Sequence, residues 1–457
     1  MTTLRTILWK SELLTYNTTY MESKNKRQAI ILIHGIGEQR PIESLRDFVE
    51  PITEQLKKNT QASQEDILFW EKPDSASGNY ETRKMTMNGG RNHPTTDFYE
   101  FYWAHHMRNT NWTHIKDWLK RIVFRLPKNV SKRLLPVFRF IWFLIITVAV
   151  CSGLFIIYKD RLCEGVVMAS GFITTIVIAI FHKYLFNYLG DAGRYLDPSP
   201  ENISERQAIR EDGIRLLKNI HESEKYQRVI IVGHSLGSVI AYDLVKFLWN
   251  DYYKSFDPQK FAELYKSANK QIIDNVNSSE DAVKNSDDTT QKIDDFQKTQ
   301  EKSYKYLKAI GNKWLITDLV TIGSPLTYAG YLFAQKKGLF TKLKEQREYP
   351  TCPPHFQQSM KTNIVKSNLF NAKGIEHPLV LKHFNHSSPF AVTKWTNIYY
   401  SSDFIGGPLK NVFGTGIKDI EIKTKNRFIL YPNVHTEYWD IKNHNNILNK
   451  LWGIFQR

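Results

Sequence analysis

The run "RVIIVGHSLGSVIAYDLV", residues 228–245, places a serine between two glycines: Gly233, His234, Ser235, Leu236 and Gly237. A serine hydroxyl attacks a carbonyl carbon only if it is presented without obstruction and a base takes its proton. The spacing Gly-x-Ser-x-Gly serves the first need. Where a strand turns sharply into a helix, each glycine removes a Cβ that would block the close approach of turn and neighbouring chain. The pattern is short, and a chain of this size contains it by chance about one time in ten. Its flanks are more specific: "RVIIV" is β-branched, and "SVIAYDLVKFLW" reads as a helix. Such a helix would offer Ser235 free N–H donors and partial positive charge at its N-terminus.

The second need is a histidine and a carboxylate; in an α/β hydrolase these follow the serine in the order acid, then histidine. Asp403 lies in the loop just past the predicted strand "WTNIYYSS". Asp318, Asp419 and Asp440 are its rivals, and Asp318 falls inside the apolar run before "TIGSP", where a structural role is expected. Of the histidines, His435 in "YPNVHTEYW" follows the acid and precedes the terminal helix "NNILNKLWGIF". His377, His383 and His386 come before the acid, and His444 opens the last helix. A tetrahedral intermediate also needs donors for its oxyanion. The backbone N–H of Leu236 is one. The other is expected from Ile36 or Gly37 in "LIHGIGEQR", with His34 holding that loop by hydrogen bonding. This chemistry requires no metal and no organic cofactor.

The elements that must position these groups alternate. "QAIILIHG", "DFYEFYWA", "RVIIVG", "KWLITDLVTIG" and "KWTNIYYSS" read as strands, with helical stretches near 43–57, before Arg228 and after Ser235. Strands separated by helices predict an α/β fold: a mostly parallel sheet with helices on both faces and active groups at the carboxyl ends of the strands. The chain divides into residues 1–133 with the oxyanion loop, 134–189, 190–250 with the serine, 251–312, and 313–457 with the acid and histidine. The 251–312 segment, rich in Lys, Asp, Gln and Ser, reads as an exposed helical insertion.

Residues 134–189 have a different character. Phe140–Tyr158 and Gly165–Phe181 carry no charge, and the polar connector "KDRLCE" separates them. Each approaches the ~20 residues that cross a bilayer core, so a transmembrane helical hairpin is expected. The segment before it, "KDWLKRIVFRLPKNVSKRLLPVFRF", is dense in Lys and Arg, which assigns that flank and the catalytic parts to the cytoplasmic side. The net charge of +16 is partly concentrated there, where anionic lipid is the natural partner. No nucleic-acid motif accompanies it, the N-terminus shows no secretory signal, and three scattered cysteines make no disulfide or zinc framework.

The segments "ILIHGIGEQR", "YEFYWA", "GDAGRYLDPSPENISERQAIREDG", "VIIVGHSLGSVIAYD", "DLVTIGSPLTYA", "PTCPPH", "KWTNIYYSSDFIGGPL" and "HTEYW" resemble those of membrane-associated bacterial enzymes in a lipase/esterase-like branch of the α/β-hydrolase superfamily. The resemblance covers most of the chain outside the 250–312 region. It implies an α/β-hydrolase fold, with Ser235 as nucleophile, Asp403 as acid and His435 as base. The expected activity is cleavage of carboxylic esters, lipid esters first because of the membrane location. The same residues would also suit an amidase, thioesterase or acyltransferase, and a noncatalytic membrane scaffold is the remaining alternative.

Overall fold

The computed structural model describes residues 27–36, 40–60, 69–90, 93–107, single positions between 116 and 130, 131–158, a few positions near 171–175, 190–266, 290–334, 338–355, 364–370, 379–423, 432–436, 438 and 445–456. Ten strands are described: β1 (Arg27–Ile33), β2 (Phe69–Pro73), β3 (Arg83–Met87), β4 (Thr95–Phe101), β5 (Arg228–His234), β6 (Ile316–Ile322), β7 (Ile364–Phe370), β8 (Leu379–Phe384), β9 (Lys394–Tyr400) and β10 (Lys418–Ile422). Eight form one sheet in the order β10-β9-β6-β5-β1-β4-β3-β2, and β7 and β8 pair separately. From β10 to β4 the pairing is parallel throughout, and β2 and β3 add an antiparallel edge. The fold is therefore α/β with a mostly parallel sheet.

The central strands read as unbroken apolar runs because both faces of the sheet are covered. Alternate residues divide between two cores. Ile31, Ile33 and Ile231 share a core with Leu217, Leu244 and Trp249, which come from the helices Ile203–Glu222 and Leu236–Tyr252. Ile30, Leu32, Ile230 and Val232 share the other with Phe48 and Leu451, from the helices Glu43–Thr60 and Asn445–Phe455. Helices thus lie on both faces, as expected.

Register brings the working loops to one edge. Ile33 sits level with Gly233 and Phe101, His234 with Ile322, and Ile322 with Ile398. The chain leaves β1 toward β4 on one side and later returns to place β5 on the other. In open α/β sheets ligands usually bind beside such a reversal, at the carboxyl ends of the strands.

Two expectations change. The described parts of 251–312 are helical but not wholly exposed: Phe261 of helix Pro258–Lys266 and Phe296, Tyr306 and Leu307 of helix Thr290–Ala309 are buried in the first core, and residues 267–289 lie outside the described residues. Inside, the Gln300 amide donates to the carbonyls of Phe390 and Thr393, both at 2.8 Å. The serine-bearing helix also runs to Tyr252, past the boundary set at residue 250.

The second change concerns 134–189. Among the described residues no helix is long and apolar enough to cross a membrane, so the fold does not support the inserted hairpin. The helix backbone itself covers 24 residues, Leu135–Tyr158. Its first turns are held to the body: Phe138 is buried, and the Trp142 indole donates to the Val123 carbonyl at 3.0 Å. Phe140, Phe143, Ile146 and Val150 recur at helical spacing and are exposed. The connector "KDRLCE" and most of Gly165–Phe181 lie outside the described residues.

Candidate active site

Ser235 stands between the end of β5 and the helix Leu236–Tyr252, with φ +51° and ψ −128°. A non-glycine residue in this region costs on the order of 1–3 kcal/mol and persists only where its surroundings enforce it. They do so here. The Ser235 N–H donates to the Ile322 carbonyl of β6 at 2.9 Å, and its own carbonyl accepts from the Ser238 N–H at 3.0 Å and the Ser238 hydroxyl at 2.5 Å.

The two flanking glycines explain themselves. A Cβ on Gly233 would lie 2.6 Å from the Gly237 carbonyl oxygen, and a Cβ on Gly237 would collide with the carbonyl oxygens of Ile33 and His34. The turn is pressed that closely against β1. Gly35 extends the contact, since a Cβ there would lie 2.9 Å from the Ser235 Cβ. The predicted oxyanion loop therefore lies directly beside the serine.

The structure brings the three predicted site residues into one hydrogen-bond chain. Ser235 Oγ lies 2.8 Å from His435 Nε2, and His435 Nδ1 lies 2.9 Å from Asp403 Oδ2. The ionised acid can only accept, so Nδ1 carries the proton and Nε2 is left to accept from the serine; this tautomer follows from the network. His435 sits in the short 3₁₀ turn Pro432–His435 rather than on a strand, and Asp403 in the loop after β9. All three side chains are buried.

Burial alone would raise the Asp403 carboxyl. The adjacent His435, with hydrogen bonds from His435, Tyr438 and the Gly406 N–H, overcomes this and holds it below its ordinary value. The Tyr438 hydroxyl donates to Asp403 Oδ2 at 2.7 Å while accepting from the Tyr400 N–H at 3.1 Å. Burial, then the nearby carboxylate, pushes the Tyr438 phenol far above its usual range, so it remains a donor. Sequence reasoning did not single out Tyr438; its place three residues after His435, in a tight turn, was the available signal.

Arg133 and Gly323 were also missed. The Arg133 guanidinium donates to the carbonyls of Asp403 at 2.6 and 3.1 Å and of Tyr400 and Ser401, both at 3.0 Å, clamping the acid loop. Gly323, at φ +56°, passes beneath the triad, where a Cβ would lie 2.8 Å from Tyr438, 3.1 Å from His435 and 3.2 Å from Asp403. The motif "TIGSP" marks that glycine in sequence without revealing what lies above it.

His234 braces the base. Its Nε2–H donates to the His435 carbonyl at 3.1 Å, and the two rings stack with centroids 5.2 Å apart. Burial first, then the neighbouring His435, pushes its pKa down to about 3, so it stays neutral. His34 donates from Nδ1 to the Gly35 carbonyl at 2.9 Å and stacks on Trp103, whose indole donates to the His34 carbonyl at 3.0 Å. It holds the loop, as expected. Leu236 is the first residue of its helix, so its N–H has no intrahelical acceptor. Ile36 is partly buried against the core, and Gly37 lies outside the described residues.

The rivals have other work. Asp419 accepts from the N–H groups of Leu409 and Lys410 at 2.9–3.0 Å and from the Asn397 amide at 2.7 Å. Asp318 lies in the first half of β6, away from the carboxyl edge. His383 is buried in the separate β7–β8 pair. His377, His444 and Asp440 lie outside the described residues.

Fold and site together define an α/β protein with a Ser-His-Asp hydrogen-bond chain at the carboxyl edge of a parallel sheet. Comparison of the chain with protein-family models, curated proteins and solved structures finds no match.

Replacing Gly237 by Ala is expected to destabilise the protein by about 3 kcal/mol or more, because only backbone could yield. Gly330→Ala, whose Cβ would meet only the Phe340 side chain at 3.7 Å, should change stability by less than about 1 kcal/mol. Denaturant titration of both variants decides this, and equal stabilities would contradict the packing of the turn against β1.

A second expectation concerns acid. Burial pushes His34, His221 and His234 down to about 4, 4 and 3. Below an unfolded pKa of ~6.5 the unfolded chain takes up protons that the folded one refuses, so stability falls with pH toward 4. Glu100, pushed up to about 7 by burial, acts oppositely: its contribution is complete below ~4.5 and is lost as pH rises through 7. Three groups outweigh one, so Tm should drop between roughly pH 6.5 and 4. A flat or rising Tm across that window would contradict neutral burial of the histidines.

Proposed function

We propose that the protein is a serine hydrolase of the α/β-hydrolase type that cleaves carboxylic esters through an acyl-enzyme. The observation that carries this reading is the continuous chain from Ser235 Oγ through His435 to Asp403, with the serine on a strained strand-to-helix turn. Ser235 Oγ attacks the ester carbonyl as His435 Nε2 takes its proton. The Asp403 carboxylate stabilises the imidazolium and holds its tautomer. The oxyanion accepts from the Leu236 N–H and from that of Ile36 or Gly37, each such donor being worth ~3–4 kcal/mol. His435 returns the proton to the departing alkoxide. Water, deprotonated by His435, then releases the acid and restores Ser235.

Lipid esters are the proposed substrates, and they rest on location. The helix Leu135–Tyr158 is about 36 Å long at 1.5 Å per residue and exposes an apolar stripe beyond its attached first turns. Basic residues precede it, suited to anionic headgroups. In this proposal it anchors the enzyme in the membrane, with the 165–181 run as its return segment and the catalytic body on the cytoplasmic side.

A fluorophosphonate probe should label the full-length protein, and Ser235→Ala should abolish both labelling and turnover of a short-chain chromogenic ester. Tyr438→Phe should lower kcat roughly tenfold with KM little changed, as expected for a group that acts on the acid. Equal labelling of Ser235→Ala would end the hydrolase reading. Location is tested separately by alkaline carbonate washing of membranes: the chain should stay in the pellet, and replacement of residues 135–181 by a short linker should release it. Wild-type protein in the wash supernatant would end the integral-membrane reading.

A further inference from the structure

At the other end of the carboxyl edge, just past β4, the 3₁₀ turn Ala104–Met107 presents two consecutive histidines to the helix Ile203–Glu222. His106 Nε2 lies 2.8 Å and His105 Nε2 4.0 Å from Asp212 Oδ2. The three ligand atoms all fall within 4.8 Å of one another, and all three side chains are partly open to solvent. We propose that His105, His106 and Asp212 form a binding site for a divalent transition cation, with Zn²⁺ as its natural class of occupant.

The donor set is the first argument. Two imidazoles and one carboxylate suit Zn²⁺ and its first-row neighbours, with ligands ~2.0–2.2 Å from the ion. Tetrahedral ligands at that range stand ~3.3 Å apart. The two imidazole-to-carboxylate distances, 2.8 and 4.0 Å, bracket this value, and the three ligand atoms all lie within 4.8 Å of one another.

Orientation is the second. The Arg215 guanidinium donates to Asp212 Oδ1 at 2.7 Å, fixing the carboxylate with Oδ2 toward the imidazoles, as outer hydrogen bonds do for metal-ligating carboxylates. The rings of His105 and His106 are tilted, with centroids 3.9 Å apart, so both imidazoles stand on the side of the turn that faces Asp212.

The surroundings supply the third. His105, Asp212 and Arg215 line a cleft of about 420 Å³, so a bound ion would keep a coordination position open to solvent. The site also adjoins the loop beside the serine: His105 stacks on Tyr102 at 5.7 Å, and Tyr102 packs on His34 at 5.5 Å. An ion there would tie the exit of β4 to the helix Ile203–Glu222, one aromatic step from the loop that carries Gly35.

The test uses the full chain in detergent, stripped with chelator and desalted. Calorimetric titration with Zn²⁺ should give one site per chain in the micromolar range, weakened at least tenfold in His106→Ala and in Asp212→Asn but unchanged in His386→Ala. Co²⁺ loaded into wild-type protein should give visible d–d bands of a four- or five-coordinate nitrogen–oxygen site, bleached by added Zn²⁺; this readout needs no variant to fold. No Zn²⁺ binding up to 100-fold above the micromolar range would overturn the proposal. So would binding of wild-type strength in both site variants, which would place the ion elsewhere. Neither result depends on ester hydrolysis, so the site and the hydrolase reading stand or fall separately.

Discussion

The approach of one turn to one strand governs this structure. Gly237 lies so near the carbonyls of Ile33 and His34 that no side chain fits between them, and that contact presses the start of the helix Leu236–Tyr252 onto the end of β1. The chain can arrive there from β5 only by bending sharply at Ser235, which takes the positive φ. The strain is held by hydrogen bonds to β6 and by the two cores that clamp the sheet from either face. The Ser235 hydroxyl and the loop containing Gly35 are adjacent for the same reason that the turn is strained.

The acid is held more elaborately than the base. Asp403 accepts from His435, Tyr438 and the Ile405 N–H, with Gly323 and Gly406 leaving room for its carboxyl. The carbonyls around it are taken up by Arg133, and the Phe404 carbonyl by the Tyr328 hydroxyl at 2.7 Å. A buried carboxylate needs such a shell, because an unpaired charge in the interior is costly while a fully hydrogen-bonded one is not. These groups come from Arg133, from 323–328, from the 403–406 loop and from 435–438, so the acid's position depends on several distant stretches of chain.

Arg133 links this site to the least globular part of the molecule. It stands two residues before the helix Leu135–Tyr158, whose early turns dock through Phe138 and Trp142 while its later residues turn apolar side chains outward. The basic segment read from sequence as a lipid-facing flank therefore has an inward duty as well. Arg125 shows the same division, donating to the carbonyls of Tyr331 and Ala334. Positive charge in this chain caps buried carbonyls in addition to facing solvent.

Much was legible in the chain itself. Asp403 and His435 stand out by their order along the chain, which the resemblance implies. The strand-turn-helix around Ser235 and the α/β alternation follow from local pattern: β-branched runs, helical spacing, and glycines where a Cβ cannot be tolerated. These are decided by residues close in sequence, so one chain suffices to read them. What remained hidden is what long-range packing decides. Tyr438 and Arg133 act on an acid 35 and 270 positions away, and no local signal announces such a meeting. Asp419 and Asp403 are rival carboxylates in the sequence, and only the tertiary contacts, which place one among backbone N–H groups and the other against His435, separate them. The helix Thr290–Ala309 looked polar because composition averages over its faces, whereas burial chooses one of them. Sequence determined which residues can do the chemistry and in what order they lie along the chain; the tertiary structure decided which of them meet, because distance through space is set by the packing of the sheet and not by spacing along it.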